Sequence, residues 1–346
     1  AQRNDQRADQ AALKYTGRLA AAIALAALVV YLLTLAPDML PGDSGEFQFA
    51  APGLRIVHPT GYPLYLLLGK LFTLFPFGTV AFRVNLLSAV CAAMAIGFTF
   101  ALCWFVIMAS AEPASEIPGR LSATTTGVMA AATAAFLLAF SPIFWAQATE
   151  AEVYSLNALF VAALLLLALY PSGGTHLSPE RRKREWVLFA ALLGLSLAHH
   201  RSIVLLMPAL GILLYPFAGL RRAWPVAALA LIVPLFLYLY APLRYDASPY
   251  VQLRLDDAHV ITSLANTPEA MLAHALGVGC HERQQRVGLE PQHVRVENPS
   301  VVESGCLGLP CERDNPLHRH IRLYRDPELH AFPTSTREYV RAASLA

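Results

Sequence analysis

Long apolar runs alternate with short polar segments over the first 244 residues, and the alternation stops there. The clear runs are Leu19 to Ala36, Leu86 to Met108, Leu121 to Phe140, Val153 to Tyr170 and Trp224 to Tyr240. Each is near the roughly 20 helical residues that cross a hydrocarbon core about 30 Å thick. Leu64 to Phe77 is apolar but short, and Gly69 and Lys70 interrupt it. It reads as an interfacial or re-entrant helix in the first external loop. Trp186 to Tyr215 is apolar except for His199-His200-Arg201 at its centre. One helix of that length would reach about 45 Å, so two short helices meeting at a polar turn are predicted. Beyond Arg244 no run is long enough to span, and only a short helix near Pro268 to Leu276 is expected. The pattern predicts an all-α integral membrane protein with about seven transmembrane helices plus the interfacial helix. It divides into an N-terminal segment (1–18), a membrane domain (19–244) and a polar tail (245–346), whose residues 282–346 read as poorly ordered or as a small appendage.

Composition agrees with this class. The chain is 56% hydrophobic and 14% charged, against about 25% charged in soluble domains. No cleavable signal peptide is evident, because the first apolar run is long enough to span. Basic residues then orient the helices. Lys14 and Arg18, the 109–120 loop, Arg181 to Arg184, and Arg221 with Arg222 fall on one side when the N-terminus is cytoplasmic, as the positive-inside rule requires. The opposite side receives Asp43, Glu46, His58, Glu150, Glu152, His199, His200, Arg201 and Arg244.

The loop at 37–63 carries the most concentrated chemistry. Pro41-Gly-Asp43-Ser-Gly-Glu46-Phe47 offers two carboxylates three residues apart, with Gly42 and Gly45 free to bend or to approach a ligand. Asp43 can act as a general base toward a hydroxyl, or hold a cation opposite phosphate. A helix-capping arrangement is the structural alternative for this pair. His58-Pro-Thr-Gly-Tyr62-Pro63 is a rigid turn in which His58 can bind phosphate, orient a base or simply bond a loop carbonyl, and Tyr62 can anchor at the headgroup level. Of Glu150 and Glu152, helical spacing would bring one into a shared cavity, and Glu152 is preferred. His199, His200 and Arg201 form a donor group suited to phosphate oxygens. Arg244 is a weaker candidate of the same kind, since a terminal span can end in a snorkelling arginine. Cys280, Cys306 and Cys311 in the tail suit a disulfide better than zinc. No nucleotide fingerprint, soluble-cofactor motif or nucleic-acid surface is present.

Several stretches resemble one family in order. They are Pro41 to Phe47, His58-Pro-Thr-Gly-Tyr-Pro63 to Phe72, Arg83-Val-Asn-Leu-Leu-Ser88, Phe140 to Asn157, Gly194-Leu-Ser-Leu-Ala-His-His-Arg201 and Tyr238 to Arg244. Together they resemble the bacterial and archaeal membrane family long called a domain of unknown function. That family is related to eukaryotic transmembrane protein 260 and grouped with the C-type glycosyltransferases. The resemblance implies a C-type multi-helix bundle in the plasma (inner) membrane with its active site on the periplasmic or extracellular side. It implies inverting transfer of mannose or another hexose from a polyprenyl-phosphate carrier to a protein Ser/Thr, glycan or lipid hydroxyl. Asp43 is the counterpart of the acidic catalytic residue, with Glu46 the second acid. His58, Tyr62, Glu152, His199, His200, Arg201 and Arg244 are the substrate or phosphate set. No cofactor is required, although Asp43 and Glu46 are compatible with a divalent cation. A transporter or flippase for an ion or lipid-linked headgroup is the reading from another class. The chain departs from the family pattern after Arg244, where relatives continue with further membrane helices.

Overall fold

The computed structural model describes residues 2–110, 122–169, 179–214, 224–248, 252–254, 260–262 and 264–277. The contacts divide the chain between Arg295 and Val296, and all described residues lie in the first part. The tail cysteines, the basic loop at 109–120 beyond Ser110, and the expected appendage at 282–346 lie outside the described residues.

The described chain is helical apart from one short antiparallel ribbon, β1 (Gln252–Arg254) on β2 (Val260–Thr262). That ribbon was not visible in the sequence pattern, since three-residue strands give alternation too little length to register. The helices before it are α1 (Gln2–Thr34), α2 (Asp43–Gly53), α3 (Pro63–Phe72), α4 (Val80–Ser110), α5 (Ala123–Ala139), α6 (Pro142–Thr149), α7 (Val153–Leu169) and α8 (Pro179–Leu197). A 3-10 segment (Arg201–Leu206) leads into α9 (Met207–Leu214). Then α10 (Trp224–Ile232), a second 3-10 segment (Val233–Leu239) and α11 (Tyr240–Arg244) run on continuously, and α12 (Pro268–Leu276) follows the ribbon.

Among the described residues, three stretches are long and apolar enough to cross a membrane: Lys14–Thr34, Val80–Ser110 and Trp224–Arg244. The pair α5 and α6 would make a fourth, bent by 65° at Ser141-Pro142. There Ser141 takes the N-cap and Pro142 the first helical position, so a new helix starts where a loop was expected. The expected count of about seven rests on adding helices such as α7, whose 17 residues reach about 25 Å. The predicted split of 186–215 is present: α8 ends at Leu197, and His199-His200 form the turn before the 3-10 segment. The helix expected near Pro268 to Leu276 is α12.

Helix α4 is the hub. Its Val84, Leu87 and Cys91 join one apolar cluster with α2, α3, α7 and α8, and its Ala92, Ile96 and Phe100 join another with α1, α5 and α6. Small side chains let the helices close up, as expected where lipid supplies no hydrophobic drive between them. A Cβ on Gly97 would lie 3.0 Å from the Ala20 carbonyl oxygen, and one on Gly194 only 2.3 Å from that of Leu231. The outer surfaces keep large apolar side chains such as Leu33, Ile143 and Leu205 exposed, which suits a lipid-facing exterior.

Two buried polar residues of α4, one turn apart, tie the loops together. The Asn85 amide donates to the Ala36 carbonyl (2.9 Å) and accepts from Gln48 Nε2 of α2 (2.7 Å). Ser88 Oγ donates to the Glu152 carbonyl (3.1 Å) while the Glu152 N–H and the Tyr65 hydroxyl approach it at 3.0 and 2.9 Å. The Arg83-to-Ser88 motif is thus a fastening for the loop before α2 and the turn before α7.

Candidate active site

The site is built on the first turn of α2. Gly42, with φ of +72°, swings the chain into the helix so that Asp43 and Glu46 open it. A Cβ on Gly45 would fall 2.1 Å from the Leu40 carbonyl oxygen, so only glycine lets the preceding strand of loop cross there. Acids at this end sit at the positive pole of the helix. The far pole is closed by cations: Arg244 donates from Nε to the Leu54 carbonyl (2.9 Å) and from Nη2 to that of Gly53 (3.0 Å). Lys70 Nζ donates to the Pro52 carbonyl (2.6 Å), and the Tyr240 hydroxyl to that of Arg55 (3.0 Å). Each satisfies a carbonyl the helix end leaves open.

Glu46 does not form the capping pair with Asp43. Its Oε1 accepts the His58 backbone N–H (2.9 Å) and its Oε2 lies 2.5 Å from His58 Nδ1. The second ring nitrogen, Nε2, faces Asp43 Oδ2 at 3.9 Å. Burial lowers the pKa of His58, but the Glu46 hydrogen bond and the charges of Glu46, Asp43 and Glu152 outweigh it and leave the value raised. The Asp43 side chain is 67% exposed and thus open to a ligand. Asp43, Glu46 and His58 each offer a ligand atom, all within 4.8 Å of one another, a cluster consistent with a divalent cation site.

Aromatic rings line one flank. Tyr62, in the left-handed region at φ 40°, meets His58 edge-on and stacks against His200 at 6.0 Å. Tyr154, half-exposed, lies 5.6 Å from the same imidazole. His200 Nδ1 accepts from the Ser202 backbone N–H (3.2 Å) and caps the 3-10 segment. His199 is fully buried behind Tyr62, Tyr65 and Phe160, and its Nε2 donates to the Val153 carbonyl (3.0 Å). Burial pushes its pKa down to about 3 and keeps it neutral, so it fixes the turn instead of adding positive charge.

Glu150 and Glu152 converge, contrary to the expectation that one would point away. Ser44 Oγ reaches Glu152 Oε1 at 3.1 Å and Glu150 Oε2 at 3.5 Å. Residue 150 is extended (φ −127°, ψ 162°), and extended chain puts residues i and i+2 on one side. Desolvation raises the Glu152 pKa to about 7, helped by the charges of Asp43 and Glu150 and opposed by Ser44 and His58. The protein therefore gains from a protonated Glu152 below about 4.5 and loses that gain as pH rises through about 7. Melting temperatures of the detergent-solubilised protein should fall over this window, and Glu152→Gln should flatten the fall. Equal slopes for the two proteins would rule out a buried titrating acid here.

The structure therefore gathers Asp43, Glu46, His58, Tyr62, Glu152 and His200, and adds Ser44, Glu150 and Tyr154. Ser44 lies inside the Asp43-to-Glu46 motif and is its legible part; Tyr154 carried no signal beyond its place at the start of an apolar helix. Arg244 stands at the opposite pole of α2. Arg201 is exposed, and its Nη1 donates to the carbonyls of Leu276 (3.4 Å) and Gly277 (3.2 Å) at the end of α12.

A family model described as "Protein O-mannosyl-transferase TMEM260 N-terminal domain" matches residues 43–219, just over half of the chain. The chain belongs to this family. The TMEM260 match begins at Asp43 and takes in all the site residues except Arg244. Among relatives, the mouse (Mus musculus) protein O-mannosyl-transferase TMEM260 is 37% identical over 193 residues, 55% of this chain and 25% of the relative. The Dictyostelium discoideum protein O-mannosyl-transferase tmem260 is 25% identical over 215 residues, 59% of this chain and 24% of the relative. The chain thus spans about a quarter of the length of these TMEM260 proteins. No solved structure matches it.

Proposed function

We propose that the chain carries the catalytic membrane domain of an inverting glycosyltransferase. Its donor is mannose or another hexose on polyprenyl phosphate, and its acceptor a hydroxyl of protein Ser/Thr, glycan or lipid. The observation that carries this reading is the open Asp43 carboxylate on the first turn of α2, 3.9 Å from an imidazole clamped by Glu46. Family membership supplies the reaction class, since both relatives above are described as protein O-mannosyl-transferases.

Asp43 takes the proton of the acceptor hydroxyl as that oxygen attacks the anomeric carbon on the face opposite the phosphate. The bond from the anomeric carbon to the phosphate oxygen breaks, and its electron pair leaves on the lipid phosphate. One displacement inverts the anomeric centre. Glu46 holds Nδ1 of His58, which leaves Nε2 toward the reacting side. Tyr62 and His200 line the donor flank, and the exposed Arg201 supplies the fork for phosphate oxygens. His199 orients this flank without charge. Glu152 and Glu150, bridged by Ser44, accept sugar or acceptor hydroxyls. A bound divalent cation would sit among Asp43, Glu46 and His58 and offset phosphate charge; the displacement itself does not require it. In the membrane, about seven spans with the N-terminus cytoplasmic put this face on the periplasmic or extracellular side of the plasma membrane.

Purified protein in nanodiscs, given polyprenyl-phosphate mannose and Ser/Thr peptides, should form a glycoside of inverted anomeric configuration, read by NMR of the product. Retention of configuration would overturn the single displacement. Ion or lipid flux through proteoliposomes without any new glycosidic bond would overturn the enzyme reading in favour of a transporter or flippase.

A further inference from the structure

The C-terminal end of α2 gathers three cations within one turn. Lys70 Nζ donates to the Pro52 carbonyl (2.6 Å), and Arg244 donates to those of Gly53 (3.0 Å) and Leu54 (2.9 Å). Arg55 follows directly. Its Nε lies 3.2 Å from where a Cβ on Gly53 would stand, so the two guanidinium groups flank the same glycine. The Arg55 side chain is exposed, lies over the exposed Phe49 ring at 4.5 Å from its centroid, and makes no hydrogen bond to described residues.

The carbonyls satisfy donors but do not cancel the charge. A helix C-terminus supplies about half a negative charge, against three full positive ones. Among the described residues no carboxylate pairs with Arg55, Lys70 or Arg244: the ion pairs join His58 to Asp43 and Glu46, and Arg181 to Glu185. An uncompensated excess of this kind beside a membrane draws in an anion. Each cation also has a large exposed apolar neighbour: Phe49 under Arg55, Leu71 after Lys70 and Leu243 before Arg244. Arg244 ends the apolar stretch Trp224–Arg244, which puts its guanidinium at the depth where arginine snorkels to lipid phosphates. A ligand that meets both demands is charged at one end and apolar along the rest.

We propose that this end of α2 binds an anionic phospholipid of the surrounding bilayer, its phosphate held by Arg55 and Arg244 with Lys70 as the third charge, and its chains on Leu71 and Leu243. Phe49 occupies only a face of the Arg55 guanidinium, which leaves the edge free for bidentate donation. Arg244 uses Nε and Nη2 on the helix and keeps Nη1 for the ligand. The donor of the transfer reaction belongs elsewhere, a separation that rests on Asp43 as the base. Its phosphate is one ester oxygen from the carbon attacked at Asp43, whereas the 11 residues of α2 put this cluster about 15 Å away. The lipid thus backs the helix that aims Asp43 without entering the reaction.

Native mass spectrometry of the full chain in detergent, titrated with phosphatidylglycerol or phosphatidylcholine, tests the site. Both carry the phosphate, but only the first keeps a net charge, and it should bind about fivefold tighter. Arg55→Gln should weaken phosphatidylglycerol about fivefold, and Arg55→Lys should keep most of the affinity. The Arg55 side chain holds no carbonyl, so these variants leave the closure of α2 in place. Equal affinities for the two lipids, or unchanged phosphatidylglycerol binding in Arg55→Gln, overturns the proposal. An equal loss in Arg18→Gln, which removes an exposed cation of α1, would assign the lipid to the general annulus and overturn it as well. Displacement of the lipid by inorganic phosphate would make this a free-anion site, against the proposal. Any of these results with sugar transfer intact leaves Asp43 standing as the base. If Arg55→Gln instead weakens polyprenyl monophosphate and spares phosphatidylglycerol, the cluster belongs to the donor, and the lipid site and the Asp43 assignment fall together.

Discussion

Asp43→Asn should lower the rate of sugar transfer by about 10²–10⁴-fold, the usual contribution of a positioned general base, while the protein still folds. Asparagine keeps the size and one oxygen but cannot take the acceptor proton. The structural cost is small because the side chain is two-thirds exposed and its ion pair with His58 Nε2 is long, at 3.9 Å. Loss of charge at the N-terminus of α2 costs about 0.3–1 kcal/mol. Initial rates with polyprenyl-phosphate mannose, set beside melting temperature, make the measurement. Near-normal transfer by a well-folded Asp43→Asn protein would remove Asp43 as the base, and a parallel loss of melting temperature would assign it to structure.

Gly45→Ala should be the most damaging single methyl group in this loop. Its Cβ would stand 2.1 Å from the Leu40 carbonyl oxygen, and that backbone cannot step aside freely. The Leu40 N–H is held by Gln48 Oε1 (2.9 Å), Gln48 by Asn85, and Asn85 by the Ala36 carbonyl. Overpacking costs about 1–3 kcal/mol where neighbours can adjust, and here the cost should reach the top of that range. Transfer should be lost with it, because the same displacement moves Asp43 and Ser44. Gly211→Ala is the control: nothing lies within 4 Å of its added Cβ, and alanine in that helix should hold or raise stability. Thermal unfolding of both variants in detergent tests the contrast, and equal melting temperatures would refute it.

The elements legible in the sequence were those that depend on local pattern. The run interrupted at His199-His200-Arg201 forecast a broken helix from length alone, and the short helix expected near Pro268 to Leu276 is α12. The Asp43-to-Phe47 and His58-to-Pro63 stretches announced a site because polar residues beside a bilayer are costly without a use. What could not be read was which partner each polar group finds. Arg201 and Arg244 look alike in sequence, both following an apolar run. The fold sends one to the end of α12 and the other to the end of α2, since backbone carbonyls carry no residue identity. Glu150 and Glu152 were misjudged because a helical period was applied to an extended turn. The bend between α5 and α6 was invisible to a hydropathy window, which sees apolar length but not direction.

The closure of α2 by Arg244 and Tyr240 bears on where this membrane module can be cut. The family match stops at residue 219, which suggests a natural boundary for expression or for grafting onto another scaffold. The two side chains that grip the carbonyls of Gly53, Leu54 and Arg55 come from further on. A fragment ending at 219 would keep every acid and histidine of the site but release the helix that aims them. The smallest portable unit therefore extends at least through Arg244, and its boundary is drawn by a mechanical anchor, not by the chemistry it serves.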